Sequence, residues 1–188
     1  MNMKKLLTLI AVAIIANVAT AQTFDENDRK IFNEGQVLAK NDIKFAAPDT
    51  PWDTKHPKKV YSIHNEGDET IVTFAHSIYF DSQWVTFSKG IILVDCETGD
   101  TYKTRGYAME GYTMDKLLIV KGCNRRDILV PLRFPKLKRG VKYIDVYSYG
   151  HDDDLKPTNR SNIDNSCLGK HLNVKALKKK YKGGKVYE

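Results

Sequence analysis

Cysteines, long apolar segments and recognisable catalytic motifs are all scarce in this chain of 188 residues. After residue 21 no apolar run approaches the roughly 20 residues that a membrane-spanning helix needs, so no transmembrane anchor is predicted. No Cys-x-x-Cys pair is present, which leaves thioredoxin-type redox chemistry without support. There is also no Gly-x-Ser-x-Gly elbow and no recognisable Cys/His arrangement. An enzyme is therefore the less favoured interpretation, and no cofactor is predicted.

The three cysteines are Cys96, Cys123 and Cys167, so at most one disulfide can close within a monomer. Cys96 and Cys123 flank predicted strands, and a bond between them would close a loop of about 28 residues. From the loss of chain entropy in the unfolded state, such a bond would stabilise the fold by roughly 3.5 kcal/mol. The alternative is that all three remain reduced and act as small, partly buried apolar residues. Both interpretations remain open at the level of sequence.

The first 21 residues have the three parts of a secretory signal peptide. Lys4 and Lys5 form the basic start, residues 6–16 are apolar, and Ala-Thr-Ala at residues 19–21 is a small-x-small cleavage site. We therefore expect an exported protein whose mature chain begins at Gln22. Its expected location is the periplasm, the cell surface or the surrounding medium.

Positive charge is concentrated at the C-terminal end of the chain. The formal net charge is +7, of which residues 166–188 contribute +6, whereas residues 22–165 sum to −1. Five lysines of this tail are candidates for binding an anionic lipid, lipopolysaccharide or another polyanion: Lys175, Lys178, Lys179, Lys180 and Lys182. The competing interpretation is a helix that packs an apolar stripe on the domain and turns its lysines to water. That stripe would consist of Leu168, Leu172, Val174, Leu177 and Tyr181.

From about residue 59 the sequence changes to short β-type runs that are separated by turns. Alternation places four side chains on one face of a predicted strand within residues 69–80: Val72, Phe74, His76 and Ile78. A lone histidine on such an apolar face is more typical of a hydrogen-bonded core residue than of a ligand. About seven to eight strands, with no long helix between them, favour an all-β antiparallel sandwich.

Several of these runs together resemble a known group of domains. They include residues 70–74, Trp84, the hairpin at residues 93–102 and the runs at residues 132–137 and 144–146. The combination resembles the exported immunoglobulin-like β-sandwich domains of Bacteroidetes, some of which are stand-alone proteins of unknown function. The resemblance covers roughly residues 58–150 and rests on a core tryptophan, a turn and prolines at strand edges. It implies an immunoglobulin-like fold and an exported bacterial setting, and it transfers no catalytic residues.

Two further groups of residues are candidates for ligand contact. His151, Asp152 and Asp154 lie close together and offer imidazole and carboxylate ligands to a metal ion, although they lack the spacing of a calcium loop. A solvated acidic loop is the competing interpretation. Tyr107 and Tyr112 belong to a glycine-containing loop and are candidates for a carbohydrate-binding surface, although strand tyrosines are ordinary core residues.

The predicted organisation has four parts, which are a signal peptide (1–21), an N-terminal arm (22–57), a β-sandwich domain (58–150) and an acidic loop with a lysine-rich extension that includes a C-terminal helix (151–188). The predicted function is an exported, non-catalytic binding or adaptor module of the bacterial envelope with a protein or glycan partner. The alternative is association with an anionic surface through the lysine tail, and a hydrolase ranks third. The identity of the partner and the oligomeric state are left open.

Overall fold

The computed structural model describes residues 34–47, 58–149 and 167–183. Nearly all of them belong to one compact unit, Gly35–Glu188. The strands are β1 (Gln36–Val37), β2 (Lys44–Phe45), β3 (Lys58–Glu66), β4 (Glu69–Ser77), β5 (Ser82–Val85), β6 (Ile91–Asp95), β7 (Thr101–Lys103), β8 (Gly106–Tyr107), β9 (Leu118–Lys121), β10 (Asp127–Pro135), β11 (Tyr143–Ser148) and β12 (Cys167–Asn173). A 3-10 turn covers Lys40–Asp42, and helix α1 covers Val174–Gly183. The expected signal peptide lies outside the described residues.

The strands form three sheets, each named here by a central strand. The β4 sheet has the order β2-β10-β4-β3, with β8 also paired to β10, and the β6 sheet has the order β12-β11-β6-β7. The β9 sheet has the order β1-β9-β5, in which β1 runs parallel to β9. All other strand pairs are antiparallel. The predicted all-β class is therefore confirmed.

The β-structure extends beyond the expected 58–150 range in both directions. β1 and β2 lie in the expected N-terminal arm and pair with β9 and β10. β12 lies in the expected C-terminal extension and pairs with β11, so the helical stripe expected at Leu168 and Leu172 is instead part of a strand. These strands were missed because β1 and β2 are only two residues long, and because shifts of register interrupt the alternation of β12.

One apolar core joins all three sheets. Its fully buried side chains include Phe74 and Phe134 from the β4 sheet, Leu93 and Ile144 from the β6 sheet, and Leu118 from the β9 sheet. The face predicted from alternation is also correct, since Val72, Phe74 and Ile78 are buried in this core. Burial of these side chains supplies most of the stabilisation of the fold.

The β4 sheet is buried on both of its faces. The face that points away from the main core has its own small cluster, formed by Ala46, Tyr61, Ala75 and Leu129. Helix α1 packs against β3 on this side, where the Lys180 ammonium lies 4.0 Å from the centroid of the Tyr61 ring. We call this surface the covered face.

The β6 sheet is buried on one face only. Along β6 the side chains of Ile91, Leu93 and Asp95 are buried, whereas those of Ile92 and Val94 are only partly buried. This alternation is typical of an antiparallel sheet with one face in the core and one toward solvent. We call the second surface the open face. Among the described residues, none of the helices combines the length and apolar character required to cross a bilayer.

Candidate functional site

A groove of about 360 Å³ lies beside the end of β7 and is here called the β7 groove. Three separate segments line it, the turn before β6, the connection from β7 to β8, and the loop between β8 and β9. Its lining residues are Lys89, Lys103, Thr104, Arg105, Gly106, Tyr107, Tyr112, Thr113, Met114 and Asp115. The groove therefore combines cations, hydroxyl groups and aromatic rings.

Backbone hydrogen bonds fix the wall between β7 and β8. The carbonyl of Arg133 accepts the backbone N–H of Arg105 at 2.7 Å and the hydroxyl of Thr104 at 3.2 Å. Gly106 has a φ of +128°, a conformation that only glycine adopts without strain, and this allows the chain to turn into β8. The position of Arg105 is consequently set by β10, the long strand at the centre of the β4 sheet.

The opposite wall, residues 112–115, is anchored by the segment that contains β1. The Gln36 side-chain amide donates to the carbonyls of Thr113 and Lys116 and accepts the backbone N–H of Thr113 at 3.0 Å. The Tyr112 hydroxyl donates to Asp42 at 2.8 Å. It also accepts the backbone N–H of Ala39 at 2.9 Å. This loop is held in place before any ligand arrives, which lowers the ordering cost of binding.

The lining of the groove carries a surplus of positive charge. Lys89, Lys103 and Arg105 face a single lining carboxylate, Asp115, to which Lys89 is paired. Arg105 also contacts the carboxylate of Glu69, but that group is shared with Arg133, at 3.4 and 3.1 Å respectively. The guanidinium groups of Arg105 and Arg133 thus share one carboxylate. The local field favours an anionic ligand.

The two tyrosines predicted as a carbohydrate surface have different environments. Tyr107 lies in β8 and is buried, with its ring in edge contact with Phe87, and burial raises its pKa well above the usual range. Tyr112 is partly exposed, and burial is also the largest cause of its raised pKa. Tyr107 is mainly a core residue that closes the bottom of the groove, while Tyr112 contributes ring surface to its wall.

The tail lysines differ in their surroundings, since some extend into solvent and others contact the domain. Val174 is buried and Leu177 partly buried, so α1 packs its apolar side on the domain. Lys175, Lys179 and Lys180 are exposed, whereas Lys178 is partly buried. Lys180 lies over the Tyr61 ring. Lys182 lies within α1, but its side chain is outside the described set.

The candidate disulfide pair is not bonded in the structure. Cys96 is an exposed free thiol just after β6, and Cys123 is a buried free thiol just after β9. The Cys96 thiol donates to Asp145 at 3.4 Å, and burial is the first of the causes that raise its pKa. Burial likewise raises the pKa of Cys123. Cys167, in β12, is also a free thiol and is partly buried.

His76 is a core residue, as the sequence favoured. It is buried, its ring makes an edge contact with Phe87, and its Nδ1 hydrogen-bonds the carbonyl of Ser77 at 2.9 Å. Burial, reinforced by the nearby positive charge of Lys58, lowers the pKa of His76 to about 4. Burial also lowers the pKa of Lys58 to about 8. His76 is therefore neutral near pH 7, whereas Lys58 remains mainly protonated there.

The proposed metal ligands His151, Asp152 and Asp154 lie outside the described residues. Within residues 34–47, 58–149 and 167–183, no three His, Cys, Asp or Glu side chains are grouped so as to hold a metal ion.

The four charged residues that line the groove were not identified from the sequence, namely Lys89, Lys103, Arg105 and Asp115. Each stands in a turn or at a strand end where a charged residue is ordinary. Their convergence depends on strand pairings between distant segments, and no local pattern signals it.

Comparison of the chain with protein-family models, with curated proteins and with solved structures finds no match.

Proposed function

We propose that this chain is an exported, non-catalytic binding module of the bacterial envelope, built on an immunoglobulin-like β-sandwich, and that its ligand is an anionic glycan bound in the β7 groove. The signal-peptide pattern supports export, and the resemblance of residues 58–150 supports the sandwich. The observation that carries the proposal is the groove itself, in which Lys103 and Arg105 lie beside a loop fixed by Gln36.

The side chains of the groove suit a sugar that carries carboxylate or sulfate groups. A guanidinium binds planar oxyanions through two parallel hydrogen bonds, which favours Arg105 as the main contact. Thr113 adds a hydroxyl group of the kind that orients a ligand in a mostly preformed site. Among the lining residues there is one carboxylate, Asp115, whereas glycoside hydrolysis uses two. Binding without chemistry is therefore the better-supported role.

The test is titration calorimetry of the mature chain with a chondroitin sulfate hexasaccharide, beside an uncharged cello-hexasaccharide. We expect binding of the sulfated sugar only, with an affinity that falls as salt is added. The variant Arg105→Gln should weaken binding about tenfold, the equivalent of losing one charged hydrogen bond of about 1.4 kcal/mol. The matched control is Lys175→Gln, which removes the same charge at an exposed position of α1. Equal binding of both sugars, or no binding, would contradict the proposal.

A second candidate, association with an anionic surface through the tail, has one supporting observation. Lys175 and Lys179 are exposed on a helix that is anchored through Val174 and Leu177. Vesicles that contain phosphatidylglycerol provide the test. This candidate predicts that the double variant Lys175→Gln with Lys179→Gln loses vesicle binding, while Arg105→Gln retains it.

A further inference from the structure

The β7 groove continues onto the open face through one row of residues. Lys103 lies opposite Ile92 on β6, and Ile92 lies opposite Tyr147 on β11. Their chain neighbours Tyr102 and Val146 are buried, so Lys103 and Tyr147 belong to the other side of the sheet. Strands in a sheet are about 4.8 Å apart, which places the backbones of Lys103 and Tyr147 about 10 Å apart along this row.

The ring of Tyr147 is held in position by hydrogen bonds that are at most partly buried. Its hydroxyl donates to Oδ2 of Asp145 at 2.9 Å, and this bond is the main reason that its pKa is raised to about 12. The Asp145 carboxylate also accepts the backbone N–H of His171 at 2.7 Å, which is the largest cause of its lowered pKa. Asp145 consequently stays ionised and Tyr147 stays neutral across the physiological range.

A second tyrosine extends this surface next to the groove. The side chain of Tyr149 is exposed, with 57% of its surface open to solvent, and its ring centroid lies 6.1 Å from that of Tyr147. The backbone N–H of Tyr149 donates to the carbonyl of Gly90 at 3.2 Å. Its own carbonyl accepts the hydroxyl of Ser88 at 3.1 Å. The turn that holds Tyr149 is thus the one that carries Lys89 into the groove.

We propose that Tyr147 and Tyr149 form a second subsite, the tyrosine platform, which stacks against further sugar units of the anionic glycan whose charged groups bind in the β7 groove. This inference rests on the proposed function and deepens it, because it specifies a chain of several sugar units rather than one. Tyrosine supplies rigid, amphipathic contact area at a low cost in conformational entropy. The cations of the groove and the neutral rings of the platform match a ligand that is charged in part and apolar on its ring faces.

The experiment measures affinity against a chondroitin sulfate series of two, four, six and eight sugar units. For the unmodified chain we expect the affinity to rise with length. The variant Tyr149→Ala should lower the affinity for the hexasaccharide about tenfold and leave that for the disaccharide unchanged. The groove variant Arg105→Gln should lower both. Tyr147→Phe keeps the ring without its hydroxyl and should retain most of the affinity.

Each alternative result is distinguishable. If Tyr149→Ala binds the hexasaccharide as tightly as the unmodified chain does, the platform is wrong while the groove proposal stands. If no member of the series binds, both proposals fail. If single-stranded oligothymidine binds more tightly than the glycan and loses affinity in Tyr149→Ala, the rings stack on bases and the glycan assignment is overturned. Because Tyr149 is exposed, its variant should unfold at the same temperature as the unmodified chain, which excludes misfolding as the cause.

Discussion

The covered face of the β4 sheet and the open face of the β6 sheet differ in what lies on them. On β4 every residue from Thr70 to Ser77 is buried, whereas along β6 burial alternates. The covered face carries a second apolar cluster and has α1 packed at its β3 edge, while the open face keeps Ile92, Tyr147 and Tyr149 within reach of solvent. Two sheets that share one core can therefore have different roles, one structural and the other available for binding.

The same comparison explains the lysine tail. A lysine-rich helix has the composition of a polyanion-binding element, but on the covered face its side chains also make intramolecular contacts. Lys180 lies over Tyr61, and the ring of Tyr181 stacks on that of His64 with centroids 3.9 Å apart. Part of the basic tail thus contributes to packing. The cations that line the β7 groove come from other segments, around β6 and β7.

The largest expected effect comes from making the same substitution on each face. Ile71, on β4, is 1% exposed and lies on the covered face, while Ile92 is partly buried on the open face. We expect Ile71→Ala to lower the free energy of unfolding by about 3 kcal/mol and Ile92→Ala by about 1 kcal/mol. Urea denaturation measures both. Equal losses would mean that the two faces are packed alike.

The next effect concerns the core side of β4 and its response to pH. The folded-state pKa of His76 is about 4, below the ordinary value of 6.5, so the unfolded chain binds more protons between these values. The stability contributed by neutral His76 is therefore fully present above about pH 6.5 and is lost as the pH falls toward 4. We expect a loss of about 2 kcal/mol at pH 5 relative to pH 8, measured by urea denaturation. The variant His76→Phe, which cannot titrate, should remove this part of the pH dependence. A pH profile identical to that of the unmodified chain would refute the assignment.

A smaller effect tests whether exposed tyrosines on the two faces contribute differently to stability. Tyr181 is 47% exposed yet stacks on His64, and Tyr149 is 57% exposed on the open face. Tyr181→Ala should lower the free energy of unfolding by about 1 kcal/mol, because a ring contact is lost, while Tyr149→Ala should change it by less than about 0.5 kcal/mol. Hydrogen exchange of the α1 amides should rise only in the first variant. Equal stability of the two variants would contradict this difference between the faces.

The smallest expected effect is a difference in stability between variants of two neighbouring lysines of α1. Lys180→Gln removes the contact between an ammonium and the Tyr61 ring, and we expect a loss of about 0.5 kcal/mol. Lys179→Gln, an identical change at the preceding and equally exposed position, should cost less than that. Thermal unfolding at matched salt measures the difference. Indistinguishable midpoints would show that the contact adds nothing to stability.

Much of the framework was predictable because alternation is a local signal. The strand predicted within residues 69–80 appears as β4, and Val72 and Phe74 face the core as expected. The burial of His76 was also predictable, since it shares that face. The two-residue strands β1 and β2 were not, because they are too short to carry any periodicity.

The candidate site was much less predictable. Tyr107 and Tyr112 were identified, but the cations Lys103 and Arg105 drew no attention because nothing nearby in sequence marks them. The link from Lys103 to Tyr147 depends on the registers of β7 with β6 and of β6 with β11, which join residues 44 positions apart. The Cys96–Cys123 pair illustrates the same limit, since strands that flank two cysteines do not reveal which sheet each cysteine joins.

The sequence by itself determined the β class, the position of β4, the side of β4 that enters the core and the concentration of lysine in the tail. These properties follow from side-chain periodicity and composition, which are local. Only the tertiary structure decided that α1 packs at the β3 edge of one face, that the other face stays open, and that Lys89, Lys103 and Arg105 meet beside a loop held by Gln36. The reason is that such convergence is set by the pairing and register of strands far apart in the chain, which no stretch of neighbouring residues encodes alone.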